Sequence, residues 1–197
     1  ERNLSLAQQH AVDLCCDTDE RIVGVTGGAG TGKTSVLGEA YKELKRVHGT
    51  GKIVLCAPTG RAAKRVQELT GITAQTIHRL LEFPTPDDQP KEKDEPPPEN
   101  KPKRNRWKPI DQTIVLIDES SMIGPSLYVQ IMEALPPNGC IRFFGDNNQL
   151  PPVESGEGIP PFLKILQRDK GNVTLTFNFR SDDFIVSNAL RILEGRL

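Results

Sequence analysis

The feature that most constrains the fold of this chain is a glycine-rich loop between an apolar run and an amphipathic one. The loop, Gly27–Thr34, reads GGAGTGKT and fits the pattern GxxxxGK[ST]. Arg21–Thr26 before it is typical of a buried strand, and Lys33–Val47 after it of a helix. Glycines let backbone N–H groups turn inward around phosphate oxygens, and a helix N-terminus adds partial positive charge. The sequence therefore predicts a phosphate-binding strand–loop–helix unit.

Two side chains at the end of the loop have predicted roles. Lys33 is expected to reach the β- and γ-phosphates, and the Thr34 hydroxyl to coordinate Mg²⁺. A chance glycine-rich turn is the alternative, and the strand–loop–helix context argues against it. The cofactors expected at this site are a nucleoside triphosphate and Mg²⁺. The loop residues predicted to bind the nucleotide are Gly28, Ala29, Gly30, Thr31, Gly32, Lys33 and Thr34.

An acidic pair follows a later apolar run, as a metal-dependent phosphate site requires. Asp118 and Glu119 come directly after Thr113–Ile117, which is predicted to be a strand. Asp118 is expected to hold Mg²⁺ through water, and Glu119 to polarise the attacking water as general base. Such a pair often only ends a strand, but together with the loop it predicts a nucleoside triphosphatase.

Apolar, β-branched runs alternate with amphipathic stretches along the rest of the chain. Continuous apolar strands separated by helices predict an α/β fold with a parallel sheet covered by helices on both faces. Besides the segments above, we predict strands at Lys52–Ala57, Cys140–Phe144 and Val173–Thr176, and helices at Arg61–Leu69, Ser126–Leu135, Pro161–Gln167 and Ser181–Leu193.

One segment departs from this alternation. Pro84–Pro109 holds half of the 16 prolines, with an acidic first part and a basic second part that includes Trp107. It cannot form a packed core, so we expect a flexible or extended insertion between two core elements.

Composition narrows the class of protein further. A chain of 197 residues with a net charge of -1 suits one domain, and any nucleic-acid site must rely on local positive charge. The four cysteines have no zinc-ligand spacing, which favours reduced thiols in a core and a cytoplasmic, reducing compartment. No apolar stretch is long enough to predict a membrane span. The sequence begins at Glu1 without Met, and we expect a fragment of a longer protein.

Six stretches resemble the motifs of RecD- and Dda-type helicases of superfamily 1, and they occur along the chain in the order of that family. Asp118–Met122 resembles their acidic D-E-x-S-M motif, and Gly145–Val153 their GDxxQLPPV motif. The remaining matches are Leu4–Gln8 (LSLAQ), Ala57–Ala63 (APTGRAA), Ala74–Leu81 (AQTIHRLL) and Leu175–Arg180 (LTFNFR). The resemblance covers nearly the whole chain except Pro84–Pro109. It implies the first RecA-like motor domain of an ATP-dependent DNA helicase that moves 5′ to 3′ on single-stranded DNA.

The resemblance also implies roles for three further residues on the nucleotide side. Gln8 is expected to pair with the edge of adenine, although the adjacent Gln9 is an alternative. Gln149 is expected to sense the γ-phosphate and to connect it with the nucleic-acid groove. Arg180 is expected to stabilise charge that develops on the γ-phosphate.

Other residues of these motifs are expected to contact the nucleic acid. Contacts of this kind to phosphates and sugars position a strand without reading its sequence. For His78, the alternative is a structural role in the local turn. In this family an insertion at the position of Pro84–Pro109 forms a pin that splits the duplex, so this segment is either a pin that stacks Trp107 on the last base pair or a solvated loop. The predicted nucleic-acid contacts are Pro58, Thr59, Arg61, Thr76, His78 and Trp107.

The predicted organisation is incomplete for a helicase. Residues 1–83 and 110–180 are expected to form the motor domain, and residues 181–197 a helix leading toward a second RecA-like domain that completes the ATP cleft. The chain alone is therefore expected to show little activity. The expected partners are single-stranded DNA, a duplex junction, the second motor domain and replication or repair proteins. An ATPase that does not act on nucleic acid, a non-catalytic nucleic-acid-binding module and an RNA substrate are the alternatives.

Overall fold

The structure, a computed structural model, describes residues 4–85, 101–146, 148, 161–168 and 170–176. Its strands are β1 Ile22–Gly27, β2 Ile53–Ala57, β3 Ala74–Thr76, β4 Ile114–Ile117, β5 Cys140–Gly145 and β6 Asn172–Leu175. Its α-helices are α1 Leu6–Cys16, α2 Lys33–His48, α3 Gly60–Thr70, α4 Ile77–Leu80, α5 Pro125–Ala134 and α6 Pro161–Leu166. Short 3-10 turns lie at Thr50–Lys52 and Ser120–Met122.

Every strand and helix predicted within these ranges is present, and each boundary lies within one residue of its prediction. The predicted helix Ser181–Leu193 lies outside the described residues. The agreement has a local cause, because apolar β-branched runs favour strands and the glycines and prolines between them mark the turns.

The strands of the described residues form one parallel sheet in the order β3-β2-β4-β5-β1-β6. Every neighbouring pair is parallel, for example Ile22 with Ile141 in β1 and β5, and Ile53 with Ile114 in β2 and β4. The predicted α/β fold with a parallel sheet is therefore confirmed. In such a sheet the carboxyl ends of all strands lie at one edge, which is where ligands bind.

Side chains alternate between the two faces of the sheet and bury two separate cores. One core joins β-strand residues such as Val25 and Leu116 to the inner faces of α1, α2 and α3. The other joins the alternate residues, such as Val115 and Phe143, to α4, α5 and α6. Strands buried on both faces account for the continuous apolar runs of the sequence. The helices thus cover both faces of the sheet, as predicted.

The sequence patterns above do not predict α1, although two signals for it are present. Ser5 and Gln8 form a capping box, in which each side chain bonds the backbone of the other residue. The buried residues Gln8, Ala11, Val12 and Cys15 follow the helical spacing i, i+3, i+4, i+7. The helix packs against α2 and the sheet in the first core.

Two short elements after α3 are also absent from the sequence prediction. β3 has three residues and α4 has four, which is too few for a periodic pattern. Thr76 joins them, because its side chain accepts a hydrogen bond from the backbone N–H of Arg79 and caps α4.

The cysteines are free thiols, and Cys15, Cys56 and Cys140 are buried. Burial raises the pKa of Cys15 and of Cys56 to about 12, so both stay protonated at neutral pH. No helix in the described part of the chain is long and apolar enough to cross a bilayer.

Candidate functional site

Most of the predicted site residues within the described ranges follow the carboxyl ends of the parallel strands, whereas Gln8 lies on α1 and Trp107 on the insertion. The glycine-rich loop follows β1, and Thr59 follows β2. Asp118 and Glu119 follow β4, and Asp146 follows β5. Because these strands are parallel neighbours in one sheet, residues far apart in sequence converge on one edge.

The glycine-rich loop adopts a backbone shape that its glycines make accessible. Gly30 and Gly32 have φ angles of 84° and 86°, in the left-handed region that disfavours side chains. Gly27 has a different reason, since a Cβ there would lie 2.5 Å from Thr31 Oγ1 and 2.7 Å from the carbonyl oxygen of Leu175. The loop ends at α2, which begins at Lys33 and has no side-chain N-cap. A helix start of this kind directs backbone N–H groups toward an anion.

Lys33 lies against the loop that it is predicted to serve. Its Nζ donates hydrogen bonds to the carbonyl oxygens of Gly27 and, at 2.9 Å, of Gly28. Thr31 Oγ1 donates to the same Gly28 carbonyl at 2.9 Å. These bonds hold the ammonium group at the mouth of the loop, where a phosphate can take the place of the carbonyl oxygens.

The Gln8 side chain fastens α1 to the loop. Its Oε1 accepts from the backbone N–H of Ser5 at 3.0 Å, and its Nε2 donates to the carbonyl oxygen of Thr31 at 3.2 Å. Gln8 is buried, whereas the exposed Gln9 donates to Asp13 on its own helix. The geometry therefore connects Gln8, and not Gln9, with the glycine-rich loop.

Asp118 has the surroundings of a carboxylate that needs a cation. Burial raises its pKa to about 6, while a hydrogen bond from the backbone of Glu119 and the charges of Lys33 and Arg65 oppose that rise. The half-buried Asp118 carboxylate and the Thr34 hydroxyl at the start of α2 offer the oxygen atoms that Mg²⁺ prefers, directly or through a bound water. The residues present therefore fit a magnesium–nucleotide complex.

Glu119 occupies a strained backbone position directly after Asp118. Its φ of 52° and ψ of 39° lie in the left-handed region, which non-glycine residues uncommonly adopt. Non-glycine residues with this conformation cluster at functional sites. Its Oε1 lies 3.5 Å from a guanidinium nitrogen of Arg65, which is on α3. The structure thus links the predicted general base to the helix that follows β2.

The acidic pair is tied to the end of β5. Ser120 Oγ donates to the carbonyl oxygens of Ile117 at 3.0 Å and of Phe144 at 2.7 Å. Gly145 allows this approach, since a Cβ there would lie 3.0 Å from the backbone nitrogen of Ser121. Asp146 is buried and accepts from the backbone N–H of Asn148 at 2.9 Å. The ends of β4 and β5 therefore hold a common position.

A second group of predicted residues lies beyond β2 and β3. Thr59 and Thr76 are the N-caps of α3 and α4, so their hydroxyl oxygens have a local structural role. Arg61 is exposed in the first turn of α3. The ring of exposed His78 packs against that of Phe83, with centroids 4.8 Å apart and the planes tilted by 52°. Pro58 is half-buried before Thr59.

The second part of the insertion is held by an ionic cluster. Arg104 donates to Glu82 Oε1 at 2.7 Å and to both carboxylate oxygens of Asp111, at 3.1 and 2.9 Å. Lys108 pairs with Glu82 at 3.2 Å. The hydrogen bond from Arg104 lowers the pKa of Glu82. Residues 101–109 therefore have an ordered base, while residues 86–100 of the insertion lie outside the described ranges.

Trp107 stands on a tight turn above this base. The backbones of Asn105 and Lys108 exchange hydrogen bonds of 3.0 and 3.1 Å, and the Asn105 side chain accepts from the Trp107 N–H at 2.9 Å. The Trp107 side chain is 89% exposed. The basic residues beside it are paired with acids, Arg106 with Glu133 at 2.9 Å, so the exposed indole is the main feature that the turn presents.

A family model described as an AAA domain matches residues 8–155, which include the loop, the acidic pair and the end of β5. The chain belongs to this AAA domain family. Within the family it is a RecD/Dda-type domain of superfamily 1, as the sequence motifs predict.

Two relatives of this AAA domain place it among larger proteins. It is 36% identical to the ATP-dependent RecD2 DNA helicase of Deinococcus radiodurans over 151 residues, which cover 77% of this chain and 19% of that protein. It is 33% identical to the ATP-dependent DNA helicase dda of Enterobacteria phage T4 over 180 residues, which cover 88% of this chain and 38% of that protein. The chain thus spans well under half the length of these relatives.

Solved structures share the fold of the AAA domain. The Pif1 helicase from Candida albicans has a TM-score of 0.67 at 25% identity, over 98% of this chain and 44% of that one. Bacteroides Pif1 bound to single-stranded DNA has a TM-score of 0.61 at 26% identity, over 100% of this chain and 47% of that one.

Sequence reasoning and structure agree on part of the site. The AAA domain brings the loop, Asp118 and Glu119 to one edge of the sheet, whereas the predicted residues Gln149 and Arg180 lie outside the described ranges. Sequence reasoning overlooks Arg65 and Arg142, which contact groups far away along the chain. A basic residue on an exposed helix or inside a strand carries no local signal of such a partner.

Proposed function

We propose that this chain is the first motor domain of an ATP-dependent DNA helicase that moves 5′ to 3′ along single-stranded DNA. The observation that carries the proposal is the placement of a phosphate loop and an acidic pair at one edge of a parallel sheet. The positive charge of Lys33 opposes the rise in the pKa of Asp118 that burial causes, as expected for a phosphate-binding lysine and a metal-binding carboxylate in one site. The names of the RecD2 and dda relatives support the same function.

Each group on the nucleotide side has a chemical task in this proposal. Mg²⁺, when bound, neutralises charge on the β- and γ-phosphates. The loop backbone and Lys33 hold the phosphate oxygens. The Thr34 hydroxyl would coordinate the metal, and Asp118 would hold it through a bound water. Glu119 accepts a proton from the water that attacks the γ-phosphorus. Gln8 positions the loop through Thr31 and reads the adenine edge, for which its amide must exchange partners.

The residues that follow β2 and β3, at the same edge of the sheet, are proposed to contact the DNA strand. Arg61 offers an exposed guanidinium for a phosphate, and Thr59 and Thr76 each keep a hydroxyl proton to donate beyond the bond that their oxygen accepts. His78 and Pro58 flank these groups. These contacts are independent of base identity, as a translocating motor requires.

The turn that carries Trp107 is proposed to meet the duplex junction. An indole that is 89% exposed has a free face for stacking on a base, and such stacking is worth about 1–3 kcal/mol. The ion pair of Arg104 with Glu82 attaches the base of the turn to the core, so the indole keeps its position when it contacts the duplex. This supports the pin assignment for the described part of residues 84–109.

A second RecA-like domain is proposed to complete the motor. We assign the first motor domain to residues 1–83 and 110–180, and the connection to the second domain to residues 181–197. Gln149 is proposed to sense the γ-phosphate and Arg180 to stabilise its developing charge. The chain alone is then expected to bind magnesium–nucleotide weakly and to show little DNA-stimulated ATP hydrolysis or unwinding. The free, mostly buried thiols support a reducing intracellular compartment, in which replication or repair proteins would be the partners.

The test is steady-state ATP hydrolysis by the full-length protein with and without single-stranded DNA. We expect strong stimulation by DNA and a loss of about 100-fold or more in kcat for Lys33→Ala. Lys42→Ala is the matched control, because Lys42 is an exposed lysine on the same helix and pairs there with Glu39 at 2.7 Å. Arg61→Ala should weaken DNA binding for every sequence and reduce the slope of its salt dependence by about one.

Other outcomes would select the alternatives. Turnover that ignores DNA and RNA alike would replace the motor by an ATPase that does not act on nucleic acid. DNA binding without hydrolysis in the wild type would indicate a module with a relict nucleotide site. Equal stimulation and unwinding with RNA would change the substrate class.

A further inference from the structure

A cleft of about 340 Å³ connects the general base with the candidate DNA side. It is lined by Thr59, Arg61, Ala62, Arg65, Glu119 and Met122. Three of the lining residues belong to α3, and Glu119 is the lining residue with a proposed role in hydrolysis. The cleft therefore lies between the strand contacts and the chemical step.

Arg65 lines this cleft and forms an ion pair with Glu119. Its guanidinium lies 3.5 Å from the Glu119 carboxylate, and its charge also lowers the pKa of Asp118. Its side chain is 62% exposed while that of Glu119 is 22% exposed, so the arginine is accessible and the carboxylate is partly sheltered. A pair with one partner this exposed is weak and exchanges readily.

Arg61 and Arg65 are four residues apart on α3, so their side chains are neighbours on one helix face. A DNA phosphate held by Arg61 lies one helical turn from Arg65. A guanidinium has five N–H donors, which suits it to change from a carboxylate to a phosphate.

We propose that Arg65 is a positioning residue that restrains Glu119 until a DNA phosphate draws the arginine away. Without DNA, the ion pair holds the Glu119 carboxylate toward α3 and away from the attacking water. With DNA, Arg65 turns to the phosphate beside Arg61, and Glu119 is released to accept the proton. The contact between Arg65 and Glu119 thus keeps ATP hydrolysis slow in the absence of DNA. This proposal rests on the proposed function and adds how DNA stimulates it.

The experiment compares Arg65→Gln and Arg65→Lys with wild type in the full-length protein. The values measured are kcat and KM for ATP, with and without saturating oligodeoxythymidylate. A weak exposed pair predicts that Arg65→Gln raises kcat without DNA about two- to fivefold. The DNA-saturated kcat and the KM for ATP stay unchanged, so the stimulation by DNA falls by the same factor. Arg65→Lys restores the low basal rate, because it retains the charge.

Two further variants test whether the effect is specific to the contact between Arg65 and Glu119. Lys64→Gln removes a neighbouring positive charge whose partner is Glu68, 3.9 Å away on the same helix, and should leave all rates unchanged. The double variant Arg65→Gln with Glu119→Gln should be inactive with and without DNA, which shows that the gained hydrolysis passes through Glu119.

The outcomes separate this proposal from the proposed function. A basal rate in Arg65→Gln equal to or below that of wild type overturns the restraint, even where DNA stimulates the wild type. A raised basal rate in a protein that DNA does not stimulate keeps the restraint of Glu119 but refutes release by DNA and the motor function. Loss of kcat in both conditions would mean that Arg65 holds Glu119 in its productive position.

Discussion

Arg142 is a fully buried arginine that bonds backbone carbonyls, and its removal should destabilise the domain. Nε donates to the carbonyl oxygen of Cys15, Nη2 to that of Asp17 and Nη1 to that of Glu20, each at 2.7 Å. These carbonyls lie at the C-terminus of α1 and just after it. The last turn of α1 carries no basic residue of its own, so Arg142 supplies the positive charge that a helix C-terminus favours.

The size of the effect follows from these three bonds. Arg142→Met keeps an apolar stem in the core but leaves three carbonyls without their donor. At about 1 kcal/mol for each lost bond, the free energy of unfolding should fall by about 3 kcal/mol. For a domain of this size that corresponds to a decrease in Tm of about 6–12 °C. Arg142→Lys should lie between wild type and Met, since an ammonium group reaches fewer of the carbonyls.

Urea unfolding followed by circular dichroism measures this loss, with an unchanged m-value as the check on a common unfolded state. Arg168→Met is the matched control, because the exposed Arg168 also donates to a backbone carbonyl, that of Ile22 at 3.0 Å. We expect its effect to stay within about 0.5 kcal/mol. An Arg142→Met variant as stable as wild type would refute the reasoning, since burying the guanidinium would then cancel its hydrogen bonds.

Three further predictions concern the site. Asp118→Asn should raise the Tm in EDTA at pH 8, because burial disfavours the carboxylate whose pKa is about 6. That gain should shrink as the pH falls from 6 toward 4, where the folded wild type takes up the proton, and Mg²⁺–ATP should no longer stabilise the variant. Trp107→Ala should leave the Tm unchanged but slow the unwinding of forked DNA by the full-length protein; equal rates would exclude a pin. Gln8→Ala should raise KM for ATP about tenfold through its bond to the loop while Gln9→Ala does not, and equal KM values would contradict the assignment.

The phosphate loop, the parallel sheet and the acidic pair are predictable from the sequence, because the residues that define each of them are neighbours along the chain. The strand before the loop, the glycines in it and Lys33 at its end are neighbours along the chain, so one pattern contains the whole phosphate unit. Strands buried on both faces have continuous apolar runs, which is why the parallel sheet was predicted with nearly correct boundaries. The acidic pair was recognisable for the same reason, since it directly follows the apolar run of β4.

The sequence patterns do not predict α1, β3 and α4, although the sequence contains local signals for α1. α1 has a capping box and helical spacing of its buried residues, and both could have predicted it. β3 and α4 are shorter than the period that a pattern search needs. Their position depends on pairing with β2 and on the cap that Thr76 provides.

Only the tertiary structure decided which distant residues act together. Arg142 meets the carbonyls of α1 because β5 and α1 pack in the same core, and Arg65 meets Glu119 because β2 and β4 are neighbours in the sheet. The Trp107 turn is likewise held by the distant Glu82. Charged side chains take partners through space, at angles set by the order of strands and the packing of helices. That order is a property of the whole sheet, so no segment of the sequence contains it.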